Sequence, residues 1–77
     1  MAVKLTYKEY RTIVDHNNTL IDGHDLAAAK LRMIPKPQRE LWVSNLLQYY
    51  IHAAKSLRHS NAIAKQRCPE VENVTRQ

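Results

Sequence analysis

QRELWVSNLLQYYIHAAKSLRHSNAIAKQR, from Gln38 to Arg67, contains neither glycine nor proline, with Pro37 directly before it and Pro69 just beyond it. Read as one helix at 1.5 Å per residue, this stretch runs roughly 45 Å. At 100° per residue Trp42, Val43, Leu46, Leu47, Tyr50, Ala53, Ala54, Leu57 and Ala64 fall on one broad apolar face, while Asn45, Gln48, His52, Lys55, His59 and Gln66 fall opposite. The segment therefore predicts a long amphipathic helix. Its weakest point is His59-Ser60-Asn61, because Ser and Asn compete with helical backbone bonds and make good caps, so a break near Ser60 is an open expectation.

Two shorter helices are expected ahead of it. Thr6-Tyr7-Lys8-Glu9 has the form of a capping box, with Leu5 and Tyr10 at the positions of a hydrophobic staple. Tyr7, Tyr10, Ile13 and Val14 then recur at helical spacing. Asp15-His16-Asn17-Asn18 should end this helix, since these residues favour turns. Asp22-Gly23-His24-Asp25 should cap a second helix with Leu26, Ala29 and Met33 on its buried stripe. Pro35 pushes Ile34 out of the α region and should stop that helix, and Pro35-Lys36-Pro37 is a stiff connector. The expected architecture is thus a small all-α, three-helix domain over residues 1–68, two short helices packed on one long one, followed by a polar C-terminal tail over 69–77.

The chain is 77 residues long, with no Phe, a single Trp and a single Cys, and a formal net charge of +5. A core built on so few large side chains is thin, and chains of this size usually gain stability from disulfides, metals or association. One cysteine cannot close an internal disulfide, so a homodimer is expected, with Leu46, Tyr50, Ala53, Ala54 and Leu57 at the contact. There is no apolar run of membrane-spanning length and no signal-peptide pattern, so no membrane role is expected and the location is read as cytoplasmic.

No catalytic residue, cofactor or metal is assigned. His52 and His59 are seven residues apart, too far along a helix to share one zinc, and His16 and His24 bring no further ligands. Gly23 is the only glycine, which leaves no phosphate-binding loop, and Cys68 lies in a polar setting beside Pro69. The chain is read as a small basic regulator or inhibitor that binds a protein through its long helix, without catalysis. Trp42 and Tyr49 supply aromatic anchors at the border of the apolar face. His52, Lys55, Arg58, His59 and Lys65 supply a basic face, in a stretch free of acids between Glu40 and Glu70, that favours an acidic protein surface. The alternative partner is DNA or RNA, bound through phosphate contacts by the same cations.

Overall fold

The computed structural model describes residues 3–71 and is all-α, with no strand among them. Two helices of 26 residues each, α1 (Tyr7–Arg32) and α2 (Leu41–Gln66), pack side by side as an antiparallel hairpin. A single 3-10 turn, Lys36–Gln38, lies in the connection between them.

α1 begins as the sequence predicts. The Thr6 hydroxyl accepts from the Glu9 amide at 3.2 Å, and the Glu9 carboxylate accepts from the Thr6 amide at 3.0 Å. The helix then runs straight through both segments expected to break it. The two short helices of the sequence reading are one. The reason lies in where the turn-forming side chains bond. Asp15 takes an ion pair from Arg11 one turn earlier, at 2.9 Å. Asn17 donates to Asn61 of α2 at 2.9 Å, and Asn61 in turn donates to Asn18 at 3.0 Å. Side chains engaged across the hairpin no longer compete for their own backbone amides, which is the usual cause of helix breaking at Asn. The same bonds carry α2 unbroken past Ser60 and Asn61. Gly23 sits within α1 without a positive φ.

Continuity fixes a new phase. Tyr7, Tyr10, Val14, Asn17, Ile21, His24, Ala28 and Leu31 form an alternating three- and four-residue spacing of buried or half-buried positions along α1. Val43, Leu47, Tyr50, Ala54, Leu57, Asn61, Ala64 and Cys68 do the same from α2 onward. This is the seam of a two-stranded coiled coil. Leu26 and Met33, expected on a buried stripe, fall outside that phase and are exposed, as is Ala29. Half of these seam residues are small, and the largest fully buried side chains are Val43 and Cys68.

Both ends of the hairpin are tied. At the turn, Arg39 donates through Nε to the Ile34 carbonyl at 2.8 Å and through its guanidinium to the Arg32 carbonyl at 3.0 Å, filling acceptors left open at the end of α1. At the open end the Leu5 amide donates to the Arg67 carbonyl at 2.8 Å. The Tyr7 amide donates to the Glu70 carboxylate at 3.2 Å, which places a negative charge at the positive end of α1. Of the segment expected as a polar tail, residues 69–71 turn helical again and Val71 is buried beside Cys68. Residues 72–77 lie outside the described residues.

Candidate interaction surfaces

The seam leaves two broad faces on the hairpin, and their chemistry differs. On one face the α1 positions Asn18 and Asp25 meet the α2 positions Arg58 and Asn61, with Lys65 further along. Arg58 donates to Asp25 at 2.6 Å, with both side chains about half open to solvent. This face is polar and internally paired. On the other face α1 presents Ile13, Leu20 and Ala27, seven residues apart, and α2 presents Leu46 and Ala53. Trp42, Tyr49 and Ile63 flank that second row on α2. This face is apolar.

The residues singled out from the sequence are therefore divided. Trp42 and Tyr49 belong to the apolar side, Arg58 and Lys65 to the polar side, and Lys55 flanks the polar side. His52 and His59 point away from the seam, and all seven are exposed. They do not form one site. The dimer contact expected along α2 is also redistributed. Ala54 is 1% exposed and, with Tyr50 and Leu57, lies in the seam that α1 of the same chain fills. That stripe cannot receive a second chain while the hairpin is closed. Leu46 and Ala53 remain on the apolar face.

Trp42 and Tyr49 are 57% and 60% exposed, yet neither ring is loosely held. The indole Nε1 of Trp42 donates to the Glu40 carboxylate at 3.0 Å. The Tyr49 ring meets Tyr50 at a centroid distance of 5.4 Å and 67°, and meets His24 of α1 edge-on at 6.4 Å. His24 also stacks obliquely on Tyr50 at 5.5 Å. The sequence offered His24 only as a histidine beside a turn, weighed with His16 as a metal ligand, because its ring contacts follow only from the uninterrupted seam. Met33 and Leu41, 80% and 76% exposed, add apolar surface around the turn. Lys30, Arg32, Lys36 and Arg39 surround the same turn, against the single acid Glu40.

Elsewhere the chemistry is plain. The Glu9 carboxyl is held below its ordinary range, first by the backbone hydrogen bond from Thr6 and then by the Thr6 hydroxyl. A shallow groove runs along the outside of α1 beside Lys8, Glu9, Thr12 and Ile13. Cys68 is a buried free thiol. Among the described residues no group of three or more His, Cys, Asp or Glu side chains is placed to hold a metal, and no helix is long and apolar enough to cross a membrane. No protein-family model, curated protein or solved structure matches the chain.

Proposed function

We propose that this protein is a non-catalytic regulator that binds another protein through the turn end of the hairpin, with Trp42 and Tyr49 as anchors. One observation carries the reading: two large aromatic rings are fixed by contacts within the chain and are still more than half open to solvent. Rings held in place before binding lose little freedom on contact, so more of their burial is realised as affinity. Aromatic residues in that situation dominate interface energetics. The cations around the turn and the net charge of +5 favour a partner whose apolar groove is rimmed by acids. Nucleic acid is the weaker reading, because Arg58 already answers Asp25 on the polar face.

A photo-crosslinking residue placed at Tyr49, and separately at His59, tests this in cells. The expected result is a protein adduct from position 49 that survives nuclease and disappears when Trp42→Ala is added, with folding unchanged. Truncating such an anchor typically costs on the order of 2 kcal/mol of binding or more. Adducts that form only from position 59 and vanish with nuclease would instead establish the nucleic-acid reading.

A further inference from the structure

No contact or backbone angle within the single chain requires a glycine at position 23. It lies inside α1 with ordinary negative φ, and a Cβ added there meets nothing within 4 Å. Glycine is a poor helix residue, so its presence in open space is a cost without an internal return. Its apolar neighbours on the surface are only partly covered, with Ile13 and Leu20 37% and 40% exposed and Ala27 half-buried. Positions 13, 20 and 27 are apolar at a strict seven-residue interval beside the seam. A two-stranded coiled coil needs only its seam positions apolar, whereas a helix in a bundle carries a third apolar position per heptad, facing a second neighbour.

From these we infer that the apolar face binds a second copy of this chain, with α1 crossing α1 of the other copy antiparallel about a two-fold axis at Leu20. The order of residues along this face is self-complementary about that point. Outward from Leu20 the face reads Ile13 and Glu9 in one direction, Ala27 and Lys30 in the other. The two-fold axis sets Leu20 against itself and Ile13 against Ala27 of the second copy, and brings Glu9 within one residue's rise of Lys30 of the second copy. Large meets small, and acid meets base. His16 comes within one residue's rise of Gly23 of the second copy, beside the space where a Cβ would stand. An isologous contact requires this reciprocity, in which each residue's partner is matched by the reverse pair.

The same axis brings α2 against its own copy. Ser56 then opposes Ser60, and Ala53 opposes Ile63, with small residues again at the centre. The product is a four-helix bundle of two hairpins, with the near-antiparallel crossing usual for such packing. Trp42, at the turn, lies at the ends of this bundle and outside its centre. The inference does not rest on the function proposed above: its central pairs lie away from Trp42, and Tyr49 enters only at the edge of the contact, opposite Arg67 of the second copy.

The test sets two effects of opposite sign against each other. In a lone hairpin Gly23→Ala should only strengthen α1. At a close helix crossing it should overpack the contact and weaken dimerisation about tenfold or more. Sedimentation equilibrium of the full chain, with and without the substitution, should show a micromolar dimer that Gly23→Ala loosens. Circular dichroism at dilutions where the chain is monomeric should show the same variant melting higher. Leu20→Cys should form an intermolecular disulfide on mild oxidation, while Lys55→Cys, away from the apolar face, should not. The inference is overturned by a monomer throughout the micromolar range, by a Gly23→Ala dimer as tight as the parent, or by cross-linking through position 55 in place of 20.

Discussion

Replacing Asn61 by Ala should remove a large part of the stability of this hairpin, and replacing Asn17 and Asn61 together by Leu should restore it. Asn17 is only 9% exposed, and its side-chain amide donates to Asn61 at 2.9 Å. Removing Asn61 strands that donor in the seam, which costs about 1–3 kcal/mol for an unpaired buried polar group. Asn18 also loses its bond from Asn61, but Asn18 is exposed and regains water, so it adds little. A domain of this size has roughly 3–5 kcal/mol of stability in total, so the loss is a substantial fraction. With both residues changed to Leu, no polar group is stranded and apolar area is buried instead, a change that is commonly neutral or stabilising.

What the double variant should lose is register. An Asn in a coiled-coil seam penalises every alignment in which its partner is displaced. Without the pair, the two helices of the hairpin have less to fix their relative alignment. Urea unfolding followed by far-ultraviolet circular dichroism, on Asn17→Leu, Asn61→Leu and the double variant at one protein concentration, gives the coupling energy directly. Nitroxide pairs, one on each helix, should show a single separation in the parent and a broadened one in the double variant. Additive losses, with the double variant as unstable as the sum of the singles, would refute the assignment of these residues to a shared polar layer.

Three further outcomes follow from the packing. Ala54→Arg should prevent folding, because a charge forced into a position 1% exposed costs about 3–5 kcal/mol when unpaired, and circular dichroism should show an unfolded chain. Asp25→Ala should shift the denaturation midpoint only slightly, since its ion pair with Arg58 is about half open to water and such pairs contribute about 1 kcal/mol at most. The first turn of α1 should loosen in acid. Glu9 titrates below its ordinary value in the fold, so its contribution is complete at neutral pH and is lost as pH falls through that depressed value, visible as weakened amide protection at residues 7–9 that Glu9→Gln makes pH-independent.

The parts of the fold legible in the sequence were those decided locally. The capping box needs only Thr6 and Glu9, and the turn needs only Pro35 and Pro37, so both could be placed from short-range chemistry. The continuity of α1 could not. Asp15 to Asn18 read as a stop unless Asn61, more than forty positions away in the chain, is known to engage Asn17 and Asn18. Once a break was assumed there, the phase of the seam was lost, and exposed Leu26 and Met33 passed for core while His24 passed for a loop residue. The exposed position of Trp42 and Tyr49 was legible because they sit at the border of an obvious stripe. The pairing of Arg58 with Asp25 was not, since it depends on the face that α1 presents to α2.

The two proposed contacts differ in what each asks of the chain. Self-association requires shape, because a two-fold contact brings identical charges together unless they are offset, and the central part of the apolar face between Glu9 and Lys30 carries no Asp, Glu, Lys or Arg. Capture of an acidic partner requires charge, and Lys30, Arg32, Lys36 and Arg39 cluster in the sequence around the turn that leads into Trp42. A bundle centred on Leu20 would place one such turn at each end, so dimerisation would double the number of anchor sites without covering Trp42. It would also shield the thin seam, because anything that binds only the folded hairpin stabilises it by mass action. Folding, dimerisation and partner capture would then be linked equilibria. A substitution at Gly23 would reach the distant Trp42 site through the fraction of chain that is paired, with no change in the site itself.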